Sequence, residues 1–244
     1  MVRLSRGPAT TGAPVANSHI SPFSHLEWLD NALGSARVEV LGEDENGRGI
    51  NLSLHATVAD WDMVRSAAIV FASITVTENV NWSDTGAQKQ IAAAQQAGVR
   101  AGIRHYARPG APQDQAEHCV RLGKQLGVFG PGSLAPALDV DAVGVNDRFI
   151  KAWIKAVRNA AGIRRVLVYA THDAWLHDLH PDKWADSEVI LWVRRHNGIP
   201  GRPGWFHPRL GMHEHGAAPV APGLTGPIGL DAIVYPLTIA DVLI

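Results

Sequence analysis

The 244-residue sequence contains only one cysteine, Cys119, which excludes an internal disulfide framework and a zinc site built from cysteines. It has no apolar run near the roughly 20 residues that a membrane-spanning helix needs. Charge of neither sign dominates, because 22 lysines and arginines stand against 23 aspartates and glutamates. No broad electrostatic field therefore attracts nucleic acid or an anionic membrane, and we expect neither as a partner.

The apolar core of a signal peptide is also missing near the N-terminus. Arg3 and Arg6 are followed by residues 7–12 (GPATTG), where an export signal needs an apolar segment. We therefore expect no conventional export signal, so a target outside the cell would require another delivery route. Residues 1–20 are rich in Gly, Pro, Thr and Ser, a composition typical of a mobile arm.

The sequence does have a regular alternation of strand and helix from Ile50 onward. With 46% hydrophobic and 18% charged residues, it is long enough for one large α/β domain. Helices are predicted at residues 86–97, 112–126 and 147–160. Apolar strands are predicted at residues 50–54, 68–74, 99–104, 134–140, 166–170, 189–193, 211–215 and 230–235. This order favours a parallel sheet closed into an irregular (β/α) barrel of the TIM type, with its chemistry at the C-terminal ends of the strands.

The predicted barrel domain covers residues 49–244, and residues 1–48 are predicted to form an appendage. Within the appendage, Ser24 is placed to cap a short helix. The turn at Asn46-Gly47 leaves two interpretations open for the next segment of the chain. Residues 50–54 form either the second strand of a hairpin with residues 38–40 or the first strand of the barrel.

Two carboxylates stand out at the end of one predicted strand. Residues 136–141 (PALDVD) place Asp139 and Asp141 two positions apart, so a strand would point both to the same side. Paired carboxylates in a cleft are the groups that split a glycosidic bond. The alternative is that both simply cap a turn, where aspartate is common.

Several strand ends, read in order, resemble the lysozymes of glycoside hydrolase family 25. Those enzymes typically show a Gly-Ile-Asp-Val-Ser opening, an Asp-Trp, a Tyr-His-Phe-Ala-Arg-Pro segment and a Leu-Asp-Ile-Glu segment. A Tyr-Thr, a Leu-Trp, a Trp-Gln and a late Asp follow. The corresponding segments here are residues 49–53 (GINLS), 60–61 (DW), 102–109 (GIRHYARP), 138–141 (LDVD), 169–171 (YAT), 191–193 (LWV) and Asp231.

The resemblance implies a barrel with a negatively charged groove that cleaves the β-1,4 bond between N-acetylmuramic acid and N-acetylglucosamine in peptidoglycan. It implies Asp141 as general acid, Asp139 as stabilising partner and Asp231 as orienting carboxylate, with no metal and no organic cofactor. The family is common in bacteria and their phages, which suggests a phage-encoded or otherwise assisted lytic protein. Groove-lining roles follow for Asn51, His105, Tyr106, Tyr169, Trp192, His213 and His215.

Three positions depart from the family pattern. Asn51 stands where the family has its first Asp, Asp141 stands where it has the catalytic Glu, and residues 212–215 (MHEH) replace a Trp-Gln-Tyr-like segment. Asp141 shortens the acid by one methylene, and loss of a negative charge at Asn51 should lower the pKa of the remaining acid. The alternative function is therefore a catalytically impaired barrel that serves as a glycan-binding or structural module of a phage or secreted assembly.

Purely structural roles remain open for the candidate binding residues. His105, Tyr106, Tyr169 and Trp192 would also serve as ordinary core residues. The two histidines of residues 213–215 (HEH) suggest a metal site on one face of a strand, but the spacing matches no established motif such as His-Glu-x-x-His.

Overall fold

A computed structural model of the chain describes residues 47–218 and 224–244. The predicted appendage, with its helix near Ser24 and its candidate strand at residues 38–40, lies almost entirely outside the described residues. Residues 50–54 contribute to the first barrel strand, as the second of the two interpretations requires. Among the described residues, no helix has the length and apolar character to cross a membrane.

Eight strands close into a barrel in which each strand pairs with its neighbour in the chain and the last pairs with the first. The strands are β1 (Arg48–Leu52), β2 (Ile69–Glu78), β3 (Arg100–Tyr106), β4 (Ala137–Asp139), β5 (Val166–Thr171), β6 (Val189–Arg194), β7 (Leu210–Ala217) and β8 (Ile228–Ile233). All eight strands predicted for the barrel are present in the described residues, although β4 is shorter than expected.

The sheet is parallel from β1 to β7, but β8 runs antiparallel to both β7 and β1. The predicted irregular barrel is confirmed, but its last strand departs from the parallel direction that the alternation of strands and helices favoured. A parallel return needs a crossover of a dozen or more residues, usually a helix. Only residues 218–227 separate β7 from β8, so the chain returns beside β7 in the opposite direction.

Helices follow each of the first five barrel strands, and their ends agree with local sequence signals. They are α1 (Trp61–Ser66), α2 (Ala87–Gln96), α3 (Pro112–Gln125), α4 (Asp147–Ala161) and α5 (His172–His177). The Asn146 side chain caps α4 by accepting from two backbone N–H groups, and Gly162 ends it in a left-handed conformation. The two helices of six residues, α1 and α5, are too short to be found by periodicity.

Two apolar cores lie on either side of the barrel wall. The outer core packs the helices against the sheet and includes the fully buried Trp153 of α4. The inner core fills the lower half of the barrel, where Phe71, Leu167 and Ile190 meet Val242 of the C-terminal segment. That segment closes the lower end through backbone hydrogen bonds such as Ala135 N–H to the Val242 carbonyl, 3.0 Å. The polar residues of the interior therefore gather at the upper end, where the parallel strands finish.

The close approach of β3 to the chain before β4 gives a test of this packing. A Cβ atom added at Gly102 would lie 2.5 Å from the Leu134 carbonyl oxygen. We expect Gly102→Ala to lower the free energy of unfolding by ~1–3 kcal/mol because the barrel wall must shift to admit it. Denaturant unfolding measures this. Gly130→Ala is the control, since no atom lies within 4 Å of a Cβ at that position; equal losses in the two variants would contradict the packing argument.

Candidate active site

Side chains from seven of the eight strands meet inside the upper half of the barrel. Alternate residues of a strand point to the same face. The inward-facing side chains near the upper ends of the strands therefore converge on the barrel axis. All seven side chains are buried and all carry a polar group. They are Asn51 on β1, Arg104 on β3, Asp139 on β4, Tyr169 on β5, Trp192 on β6, Glu214 on β7 and Asp231 on β8.

Asn51 lies between two buried carboxylates. Its Nδ2 atom donates hydrogen bonds to Oε2 of Glu214 at 2.8 Å and to Oδ2 of Asp231 at 2.9 Å. The Nε1 atom of Trp192 donates to the other oxygen of Asp231 at 2.9 Å. Burial, followed by the nearby Glu214 carboxylate, raises the pKa of Asp231 well above its ordinary value.

Arg104 places a guanidinium in the centre of this group, with only 2% of the residue exposed. It donates to Oδ1 of Asn51 at 2.9 Å and to Oγ1 of Thr75 at 2.8 Å. Its Nε atom lies 3.8 Å from Oδ2 of Asp139, and its Cζ atom lies 5.0 Å from the ring centre of Tyr169. Because Arg104 donates a hydrogen bond to the side-chain carbonyl oxygen of Asn51, the amide nitrogen of Asn51 faces Glu214 and Asp231.

Asp139 and Asp141 lie side by side at the upper end of the barrel, which we call the mouth. The Asp141 backbone N–H donates to Oδ1 of Asp139 at 3.2 Å. Oδ1 of Asp141 accepts from the Thr171 N–H at 2.9 Å, and Oδ2 pairs with Arg194 at 2.8 Å. The structure therefore places the two carboxyl groups close together at the C-terminal end of β4.

The electrostatic environment of this pair favours a bound proton. Burial raises the pKa of Asp139 to about 7; Arg104 opposes the rise and the Asp141 carboxylate adds to it. Burial also raises the pKa of Asp141, against the opposing charge of Arg194. Near neutral pH the pair therefore holds a proton that it can donate, as an acid catalyst requires.

Tyr106 lies at the rim of the mouth and is partly exposed, opposite Asp139 in the sheet register. Burial and then the Asp139 carboxylate raise the pKa of its hydroxyl. The Arg108 guanidinium lies 4.7 Å from the ring centre and pairs with Glu78 at 2.6 Å. Tyr106 is thus the predicted aromatic residue that remains available to contact a sugar.

Tyr169 and Trp192 do not offer the sugar-stacking faces that the sequence suggested. Both are buried within the barrel, with ring centres 5.0 Å apart in an edge-to-face contact. The Tyr169 hydroxyl donates to Oε2 of Glu214 at 2.7 Å, and Trp192 donates to Asp231. Their polar atoms orient carboxylates and their rings fill the space beneath.

His105 points away from the mouth, so its predicted place on the groove floor is wrong. Its neighbours Arg104 and Tyr106 face the interior, and alternation sends His105 into the helix layer. There its ring contacts Oγ1 of Thr77 at 2.8 Å and Oε1 of Gln115 at 3.1 Å and stacks on Trp153. Burial lowers the pKa of this histidine to about 4, which keeps it neutral.

His213 and His215 also face outward, because they alternate with the inward-facing Glu214 along β7. Nε2 of His213 contacts the Arg195 carbonyl at 2.8 Å, and the two imidazole ring centres are 6.0 Å apart. The sequence suggested that this pair lines the groove, and the structure corrects that prediction. Within residues 47–218 and 224–244, no cluster of three or more His, Cys, Asp or Glu side chains is arranged to hold a metal ion.

Glu214, Arg104 and Arg194 are site residues that the sequence analysis missed. The signal for Glu214 was the two-residue alternation of residues 212–215 (MHEH), which permits either the histidines or Glu214 to face inward, but not both. Arg194 follows Trp192 by two positions and therefore lies on the same face. The upper end of the barrel thus contains four carboxyl groups and two guanidinium groups.

Comparisons with known proteins agree with this geometry. The family model described as "Glycosyl hydrolases family 25" matches residues 50–223. Lysozyme M1 of Streptomyces globisporus is 27% identical over 139 residues, which is 52% of this chain but only 47% of that relative. The chain therefore spans about half the length of the curated relative that it matches.

Solved structures share the fold at low sequence identity. A bacterial lysozyme from Streptomyces coelicolor has a TM-score of 0.62 at 21% identity, covering 80% of this chain and 96% of that one. A family GH25 lysozyme from Aspergillus fumigatus has a TM-score of 0.61 at 18% identity, covering 78% and 95%. The autolysin LytC from Streptococcus pneumoniae, solved with a synthetic peptidoglycan ligand, has a TM-score of 0.63 at 16% identity, covering 77% and 46%.

The raised pKa of Asp139 predicts how stability depends on pH. The folded state retains this proton up to about pH 7, whereas the unfolded chain releases it near 3.8. The stabilising contribution is therefore complete below pH 3.8 and is lost as the pH rises toward 7. We expect Asp139→Asn, which retains the acceptor for the Asp141 N–H, to be more stable than the wild type by at least ~1 kcal/mol at pH 8. The difference should vanish near pH 4 in thermal unfolding, and a difference independent of pH would contradict this account.

Proposed function

The chain belongs to the glycosyl hydrolases of family 25, and on that premise we propose that it cleaves the β-1,4 bond between N-acetylmuramic acid and N-acetylglucosamine in peptidoglycan. The observation that carries the proposal is the adjacent carboxyl pair of Asp139 and Asp141 at the C-terminal end of β4, where both groups have raised pKa values. The lysozyme relative and the peptidoglycan ligand of the LytC structure support the choice of substrate.

In this proposal the proton that the coupled pair of Asp139 and Asp141 holds passes to the glycosidic oxygen from Asp141, which leaves Asp139 as a carboxylate. Its side chain is 14% exposed and lies at the rim, whereas Asp139 lies deeper. As the bond between the anomeric carbon and that oxygen breaks, the proton moves to the leaving hydroxyl and positive charge develops on the sugar. The Asp139 carboxylate stabilises that charge. A water molecule then adds to the anomeric carbon and gives up a proton to the Asp141 carboxylate, which restores the acid.

Arg194 must move for this step to occur. Arg194 pairs with Oδ2 of Asp141 at 2.8 Å. A carboxyl group held by a guanidinium stays ionised and is therefore a poor proton donor. The Arg194 side chain is 39% exposed, so an incoming glycan can displace it from Asp141. Tyr106, at the same rim, offers a ring face suited to the apolar side of a pyranose.

Clearing of peptidoglycan suspensions tests the proposal directly. We expect wild-type protein to clear them and both Asp139→Asn and Asp141→Asn to lose about 100-fold or more of that activity, as the loss of an acid catalyst or its partner does. Asp114→Asn on the exposed surface of α3 should retain full activity.

Two outcomes of that assay would contradict the assignment. If wild type failed to clear while Asp141→Glu cleared, the shortened acid would be inactive, and a glycan-binding or structural role would be favoured. If Asp139→Asn cleared as well as wild type, the reaction would not depend on the carboxyl pair.

Replacement of Arg194 should shift the pH dependence of the reaction. The Arg194 charge opposes the rise in the pKa of Asp141, so Arg194→Gln should raise that pKa further. Because the acid must be protonated, the alkaline limb of the kcat/KM profile is expected to move to higher pH. Arg65→Gln on the exposed surface of α1 is the matched control; a limb that stays in place, or moves to lower pH, would show that Arg194 does not act on the acid.

A further inference from the structure

Glu214 is a buried acidic residue that the proposed reaction does not use. Only 4% of it is exposed, and it lies on β7 beneath the mouth. Oε2 accepts from Nδ2 of Asn51 at 2.8 Å and from the Tyr169 hydroxyl at 2.7 Å, and Oε1 lies 2.6 Å from Nε2 of His196. Glu214 lies between His213 and His215 in the sequence, and the sequence analysis assigned it no role.

Oε2 of Glu214 faces two hydrogen-bond donors, the Asn51 amide and the Tyr169 hydroxyl. Arg104 occupies the Asn51 carbonyl oxygen, so Asn51 can only donate toward Glu214. The Tyr169 hydroxyl donates to the same carboxylate oxygen. A carboxylate oxygen accepts both of these hydrogen bonds, so Oε2 carries no proton of its own and faces Asn51 and Tyr169 as an acceptor. A buried charge is costly, so its presence at this point calls for a function.

The charged groups that face Glu214 come from most of the barrel strands. The acidic ones are Asp141 after β4 and Asp231 on β8, and the negative charge of Glu214 raises the pKa of both. Asp139, the last residue of β4, lies beside Asp141. The cationic or titratable groups are Arg104 on β3, Arg194 on β6, His196 after β6 and the Tyr169 hydroxyl on β5. On β1 the facing group is the neutral amide of Asn51.

Resting on the function proposed above, we propose that Glu214 is a positioning residue of the active site, which supplies from β7 the buried negative charge that Asn51 does not carry on β1. Its charge favours the protonated form of the carboxyl pair at the mouth, and its oxygens hold Asn51 and Tyr169 in place. The sequence had suggested that Asn51 leaves the site one negative charge short. Glu214 restores that charge 2.8 Å from the Asn51 amide.

The contact between Asn51 and Glu214 suggests an exchange experiment. Because the amide and the carboxylate touch, Asn51→Asp combined with Glu214→Gln reverses their positions while keeping one carboxylate and one amide. The single variant Glu214→Gln removes the charge with almost no change of shape. Glu117→Gln, exposed on α3, is the control for removal of an unrelated carboxylate.

Titration of the free protein measures the effect without any substrate. The apparent pKa values of Asp139 and Asp141 can be followed by carboxyl ¹³C NMR in wild type, Glu214→Gln, the double variant and the control. We expect Glu214→Gln to lower the apparent pKa of Asp141 by about half a unit or more, the double variant to return it toward the wild-type value, and Glu117→Gln to leave it unchanged. Unchanged values in Glu214→Gln would overturn the proposal, since a purely structural role would not shift them. If Glu214→Gln does not fold, the double variant decides: wild-type values support the proposal, and lowered values overturn it.

Activity provides a second, separate measurement. The alkaline limb of kcat/KM on glycan fragments is expected to move to lower pH in Glu214→Gln and to recover in the double variant. A wild type that does not clear peptidoglycan would contradict the proposed function, while the carboxyl titration would still decide the role of Glu214. The two proposals therefore fail by different observations.

Discussion

The upper end of the barrel depends on the buried guanidinium of Arg104. Four carboxyl groups converge there, and burial of so many acids without a cation would be prohibitively unfavourable. Arg104 faces Asp139, holds the Asn51 amide in one orientation and lies against the Tyr169 ring. Through Asn51 its influence extends to Glu214 and Asp231. A single cation thus sets the hydrogen-bond directions of most of the network.

The contacts seen in the structure change the interpretation of the departures from the family pattern. Asn51 and Asp141 each weaken the site when considered alone, because one removes a charge and the other shortens an acid. In the structure Asn51 is in contact with Glu214, so the charge of the group is preserved. Asp141 is held by Arg194 and the Thr171 N–H at a position beside Asp139, where burial favours a shared proton. The substitutions therefore form one rearranged electrostatic network.

Much of the fold could be predicted from local patterns, but the site could be predicted only in part. Asp139 ends β4 and Asp141 follows it by two residues, so the sequence alone indicates that the two carboxyl groups lie close together. Glu214 could not be chosen over His213 and His215 in this way. The side chains of β7 alternate whether Glu214 or the two histidines face the interior. Which set faces inward depends on the face of β7 that packs against Asn51 and Tyr169. The direction of β8 depended likewise on how its short connection returns to the barrel.

The sequence by itself determined the order of strands and helices, the helix ends at residues such as Asn146 and Gly162, and the pairing of carboxylates at the end of β4. These features follow from periodicity and from the conformational preferences of single residues, which act over a few positions. Tertiary structure alone decided which carboxylates meet a cation, which histidines turn away from the mouth and which acids keep a proton. Those properties depend on burial and on distances between residues more than a hundred positions apart, such as Asn51 and Glu214, and chain closure sets these distances.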